Sequence, residues 1–188
     1  MRDLLAEGSF HEATVEEIAA RAGVARSTLH LHFGTRMGLV DALCGRLGDA
    51  DEYAGITSAL AVEDPGDALR GVLTASIRFW AAEEELHRSL YGLAEIDPAA
   101  RAFVDRQTSE RRTELRRLSR RLHDDGRLRP GLSDDDALAL MLVSTSFATF
   151  DELRRNAKLA PAAIERAAQR LADALVTPRA GGVSRRRS

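Results

Sequence analysis

One cysteine, Cys44, stands in the whole chain. No internal disulfide can form, which suits the reducing cytoplasm. Cys44 lies in an apolar stretch with no partner histidine at a recognised spacing, so we read it as packing and not as a nucleophile. Lysine is almost missing: Lys158 is the exception among 27 basic residues, and the rest are arginine. With so much alanine, that bias points to a GC-rich genome rather than to chemistry. Aromatic residues make up 5%, too few to argue an aromatic cage. No uncharged apolar run reaches the roughly 18 residues that a membrane helix needs. The first residues, Met1 to Glu7, turn acidic at once, unlike a signal peptide. Neither a His-Glu-x-x-His pair, nor a paired-cysteine metal site, nor a phosphate-binding glycine loop occurs. Glu84-x-x-His87 has the spacing of a di-iron ligand pair, but such sites need that pair twice. We read it as an exposed helix end, and expect no metal, no cofactor and no catalytic residue.

What is present is a helical chain. A hydrophobic content of 44% is enough for a core, and 30% charged residues fit a soluble helical protein of one or two domains. Net charge is −2, so the balance alone announces no nucleic-acid partner. Its distribution is more informative. Between Arg21 and Arg36 stand three arginines, two histidines and no acid. Between Arg101 and Arg129 stand ten arginines against five acids.

The first of these basic segments lies inside residues 14–36, which read as two short helices joined by a tight turn. Thr14 and Glu17 have the spacing of a capping box that starts a helix. Ile18, Ala19 and Ala22 form its apolar stripe. Gly23 ends it, because a residue just past a helix often needs positive φ, which glycine reaches without strain. Ala25 to Phe33 reads as the second helix, with Leu29 and Phe33 inward. Small Ala19 lets the second helix cross closely, and Leu29 fills the angle, the arrangement of a helix-turn-helix.

This stretch resembles the TetR-type transcriptional regulators. Thr14, Val15, Ile18, Ala19, Ala22, Gly23, Val24, Thr28, Leu29, His32, Phe33 and Leu39 stand in register with that family's signature. His30 replaces the usual tyrosine and Arg36 the usual lysine. The resemblance implies an all-α fold: an N-terminal three-helix DNA-binding unit followed by a helical ligand-binding and dimerisation domain. We expect the first to span 1–48, the second 49–177, and residues 178–188 to form a disordered basic tail. Residues 2–7 read as the end of a first helix shorter than the family's, as if its first turns were missing or the start assigned late. Phe10 then packs behind the helix-turn-helix.

Further along, a helix is expected after Thr35 through Leu39, Val40 and Leu43, and 49–63 reads as a connector. Asp64-Pro65-Gly66-Asp67 starts a helix with Leu69, Val72, Leu73, Ile77 and Trp80 on one face. A short helix holds Leu86, Leu90, Tyr91 and Leu93. Asp97-Pro98 begins a long one, with Phe103, Leu115, Leu118 and Leu122 inward and Gly126 as its end. Its arginines read as a solvated face, or less favourably as a second DNA-backbone surface. Ser133 to Asp136 is another start signal. From Ala137 to Phe150 no residue is charged, and a helix apolar all round must be buried all round. Pro161 opens a last helix with Ile164, Ala168, Leu171 and Leu175 in a stripe. These two helices resemble the pair that forms a four-helix homodimer interface in TetR-type proteins; both buried inside one monomer is the alternative.

On the second helix of the motif, Arg26, Ser27 and His30 point outward, with Thr28 and Leu31 partly so. A guanidinium can pair both acceptors of guanine in the major groove, so Arg26 is the expected base reader on double-stranded DNA. Thr14 and Arg36, at helix starts, are expected phosphate contacts. His30 stands where the family's tyrosine touches backbone or base, and His32 supports the motif. For each, an ordinary exposed residue is the plain alternative. The resemblance further implies a small-molecule effector held between helices of the second domain, releasing a dimeric repressor from a palindromic operator. Trp80, Tyr91, Phe103, Met141, Thr145 and Phe147 offer an apolar lining, or plain core packing. The rival readings are a helical enzyme and an interaction protein whose helix-turn-helix is structural only.

Overall fold

The computed structural model describes residues 13–35, 38–39, 42 and 51–178. Nine helices occur among them: α1 (Val15–Ala22), α2 (Arg26–Phe33), α3 (Asp51–Leu60), α4 (Pro65–Ala82), α5 (Glu84–Ala94), α6 (Pro98–Asp124), α7 (Asp134–Ser144), α8 (Phe147–Arg155) and α9 (Pro161–Leu175). Extended pairing among the described residues is one antiparallel bridge, Leu128 to Val176. The expectations at Leu4, Leu5, Phe10, Val40, Leu43 and Cys44, and the tail beyond Pro178, lie outside the described residues.

Local chemistry sets most helix starts. Asp64 accepts bonds from the amides of Gly66 and Asp67, both at 2.9 Å, and Pro65 supplies the first turn of α4. Ser133 and Asp136 form a capping box at α7, with bonds of 3.0 and 3.1 Å. Pro161 opens α9.

α4 is the central helix. Ala68, Leu69, Val72, Leu73, Ile77 and Trp80 are buried on it. They meet Leu115, Leu118 and Leu122 of α6, Met141 of α7, Phe147 and Phe150 of α8, and Ile164, Ala168, Ala172 and Leu175 of α9. Arg70 to Asp173 at 2.9 Å and Arg78 to Glu165 at 3.1 Å pair α4 with α9 along the rim. A second core joins the N-terminal motif to the larger part. Ile18, Ala19, Leu29 and Leu39 pack with Leu86, Leu90, Leu93 and Ala94 of α5 and Ala100 and Val104 of α6. Tyr91 borders both cores.

Four expectations need correction. Residues 51–60 are helical, not a connector. Ala59 is buried there, and a Cβ on Gly71 would stand 2.8 Å from the Ala59 Cβ. Two small residues thus let α3 lie close on α4, a pairing invisible in local sequence. The uncharged run 137–150 is not one helix. Ser144, Thr145 and Ser146 turn their hydroxyls back on the carbonyls of Leu140, Met141 and Val143, at 2.6, 2.8 and 3.0 Å. Ser146 then caps α8 by accepting from the Thr149 amide at 3.1 Å, and the chain breaks between them. Nor is the run buried all round: Leu140 and Val143 are 36% and 60% exposed. Third, Glu84 and His87 are no exposed helix end. His87 is 3% exposed among Phe79, Trp80 and Phe147, and Glu84 is paired with Arg88 and Arg154, both at 2.9 Å. Finally, the arginines of α6 are not all a solvated face. Arg121 donates to the carbonyls of Leu60, Val62 and Glu63, at 2.9, 2.6 and 2.9 Å, and so caps the end of α3.

Candidate nucleic-acid interface and effector cavity

The capping box at α1 has both of its bonds. The Thr14 amide donates to the Glu17 carboxylate at 2.7 Å, and the Glu17 amide donates to the Thr14 hydroxyl at 3.2 Å. Those bonds to Thr14 hold the Glu17 carboxyl below its ordinary range. Gly23 has φ of 67°, and the amides of Gly23 and Val24 bond back to Ala20 and Ala19 at 3.1 and 3.0 Å. The turn therefore satisfies the end of α1 and redirects the chain within three residues. Leu29 anchors α2 at 7% exposure, against Ile18 and Ala19.

With Leu29 fixed inward, the opposite side of α2 is presented outward. Arg26, Ser27, Thr28, His30 and His32 are all exposed. Leu31 is 81% exposed. Lying two residues from Leu29, it sits nearly diametrically across the helix. Its outward position is stronger than sequence reading allowed, and a helical wheel would have found it. Phe33, expected inward, is instead exposed, its ring tilted on His32 at 6.2 Å. Being the last residue of α2, it has no following turn to carry it over the core. Arg26 makes an ion pair with Glu16 of α1 at 2.7 Å. Thr14 is exposed at the start of α1. Arg36 lies outside the described residues; just before it, Thr35 accepts a bond from the Gly38 amide at 3.1 Å. No acid stands on α2, whose exposed groups are donors, hydroxyls and two apolar side chains, Leu31 and Phe33. That mixture matches what a major groove offers: base-edge acceptors, phosphates and thymine methyls.

Behind the motif, a cavity of about 500 Å³ opens between α3, α4 and α6. Trp80, Tyr91 and Thr145 line it, together with Tyr53 and Ile56 of α3 and Phe79 of α4. Met141 and Phe147 are buried in the core at 0% and 4% exposure and do not line it. Phe103 belongs to the second core, with the Arg106 guanidinium 5.4 Å above its ring. Although aromatics are few, the fold gathers them. Trp80 has Phe79 at 4.8 Å, Phe147 at 5.5 Å and Tyr91 at 6.2 Å. The Thr145 carbonyl receives two donors, Trp80 Nε1 at 3.0 Å and Arg111 Nη1 at 2.8 Å. Nothing in the sequence singles out Arg111, since it is one of ten arginines in its segment. Among the described residues no three His, Cys, Asp or Glu side chains gather as a metal ion requires. No described helix is long and apolar enough to cross a membrane.

Comparison with known proteins agrees with this geometry. Residues 2–43 match the family described as bacterial regulatory proteins, tetR family. No curated protein sequence matches the chain. Among solved structures, the TetR family regulator PfmR of Thermus thermophilus is 21% identical with a TM-score of 0.68, covering 92% of this chain and 89% of its own. The fatty acid degradation regulator FadR of Bacillus halodurans is 19% identical with a TM-score of 0.72, covering 91% and 89%. AibR, solved with isovaleryl coenzyme A and operator DNA, is 17% identical with a TM-score of 0.67, covering 93% and 94%. At such identities these likenesses speak for the fold. Residues 2–43 thus carry the N-terminal sequence of the tetR family of bacterial regulatory proteins, on a fold shared along nearly the whole chain with solved TetR family regulators.

Proposed function

We propose that the protein is a cytoplasmic repressor that binds a palindromic operator as a homodimer and is released by a small-molecule effector. The observation that carries this reading is the outward face of α2: Ser27, Thr28, His30 and Leu31 stand exposed while Leu29 is buried opposite. Residues 1–48 then form the DNA-binding unit, 49–177 the effector and dimerisation domain, and 178–188 a basic tail. Arg26, Ser27, Thr28, His30 and Leu31 face the groove, and Thr14 and Arg36 hold phosphates. Release has a physical route. Tyr53 and Ile56 of α3 and Tyr91 of α5 line the cavity. Among the described residues, α5 also supplies four of the eleven that are buried in the core under the helix-turn-helix. A ligand that shifts either helix therefore tilts α2. AibR, with a related fold, was solved holding both isovaleryl coenzyme A and operator DNA.

Gel shift and footprinting of the full chain on DNA flanking its own gene test the proposal. We expect a dyad footprint with half-site centres about 34–36 Å apart, or a multiple of that. Binding without sequence preference, or a footprint without dyad symmetry, defeats it. Arg36→Ala should weaken binding to every sequence and flatten the salt slope by about 0.9 for each phosphate that the variant no longer neutralises. Equal slopes for the two proteins would remove Arg36 from the interface.

A further inference from the structure

Resting on the effector reading above, we propose that the effector is a small amphiphilic acid, with Arg111 receiving its carboxylate and Ile56, Leu60, Phe79 and Trp80 holding its apolar body. Arg111 lines the cavity. Its Nη1 is anchored on the Thr145 carbonyl at 2.8 Å, while its Nε is buried with no hydrogen-bond partner. Several other half-buried arginines take carboxylates, while Arg121 takes the backbone carbonyls at the end of α3. Arg127 pairs with Asp64, Arg88 with Glu84 and Asp151, and Arg154 with Glu84. Among the described residues Arg111 makes no such pair, and its guanidinium, which does not deprotonate in proteins, keeps an uncompensated charge.

A half-buried cation without its counter-charge is costly, and so is the buried Nε donor without an acceptor. A carboxylate meeting the Nε edge relieves both with short charge-assisted bonds. The anchored Nη1 holds that edge in a fixed orientation beforehand. Tyr91, on the same cavity, is kept neutral because burial pushes its phenol up, and so can donate a further bond. The acids on the wall are disposed differently. Glu110 is exposed to water and Glu114 is paired with Arg117 at 2.5 Å. Thr145, which anchors Arg111, is 1% exposed. A cavity of about 500 Å³ matches an acid with a medium alkyl chain or an aromatic ring.

Trp80 is the sole tryptophan and lines the cavity, so its fluorescence reports occupancy. The full chain is titrated with octanoate, decanoate and 4-phenylbutyrate, and with the matching alcohols. Operator binding is followed in parallel. We expect at least one acid to bind about tenfold more tightly than its alcohol, the worth of a charged hydrogen bond. Arg111→Met should erase that preference while alcohol binding stays within about twofold, and Arg111→Lys should retain part of it. If Arg111→Met does not fold, the wild-type ratio and Arg111→Lys decide. Alcohols that perturb Trp80 as strongly as every acid overturn the acidic head but leave the effector cavity standing. No response to either class, with operator binding intact, overturns the acid and the effector cavity together, while DNA binding survives. A preference retained by Arg111→Met also overturns the proposal.

Discussion

Arg26 is the base reader proposed for α2, and its surroundings bear on that role. Its pair with Glu16 is open to solvent, the side chains being 70% and 55% exposed. Such pairs contribute about 0–1 kcal/mol, so a guanine edge or a phosphate can displace Glu16. Arg26→Ala should cost about 1–3 kcal/mol of discrimination at one operator position, measured by competition gel shift with single-base variants. Discrimination left intact would reduce Arg26 to a positioning contact. His87 is a different kind of residue. Burial depresses its pKa from 6.5 to about 4, although a bond to the Phe79 backbone works the other way. The folded state thus holds a neutral ring. Between pH 6.5 and about 4 the unfolded chain takes up a proton that the folded chain refuses, so stability falls as pH drops through that window. The loss from this one group is about 3 kcal/mol across it. His87→Phe keeps a ring between Phe79, Trp80 and Phe147 and removes the proton. Its urea midpoints at pH 5 and pH 7 should differ less than those of the wild type.

Helices whose starts are chemical were legible in the amino-acid order. Thr14 with Glu17, Asp64 with Pro65, Ser133 with Asp136, and Pro161 each act over three or four residues. What holds α3 among the described residues is not local. The helix is held by small residues that meet α4, Ala59 against Gly71 and Gly55 against Ala75, whose Cβ a side chain at position 55 would approach to 3.8 Å. The same contact places α3 against the cavity. Gly71→Val should push the two helices apart, at about 1–3 kcal/mol by overpacking, read as a lower melting temperature. An unchanged melting temperature would mean that α3 yields freely. The break between α7 and α8 was equally hidden. Three hydroxyl residues in succession, Ser144 to Ser146, were the available signal, but their back-bonding competes with an otherwise unbroken apolar run.

Two cores, one around α4 and one under the helix-turn-helix, meet at Tyr91. A domain of about 60 residues buries too little surface to be more than marginal, so the N-terminal motif depends on α5 and α6 for its footing. In the proposed function, that dependence is the route by which the cavity reaches the reading helix. On the far side, Leu140 and Val143 face outward from α7, large apolar side chains that a single chain leaves in water. A second copy would cover them. Val143→Arg should shift the protein toward monomer in sedimentation or size-exclusion measurements. It should weaken operator binding far more than a distant surface substitution does. A Val143→Arg protein that elutes as the wild type does would move the proposed interface elsewhere.

The DNA-reading motif was readable because its grammar is short: a cap, a small residue, a glycine with positive φ and a leucine, all within 16 residues from Thr14 to Leu29. Folding around it supplied what no local pattern holds. It selected three of the six expected lining residues for the cavity, gathered scarce aromatics about Trp80, and turned one arginine among many into a half-buried cation with an unpartnered Nε. Caps and turns depend on neighbours along the chain. Cavities and unpaired charges depend on which helices are brought side by side, and that is settled by burial over the whole molecule.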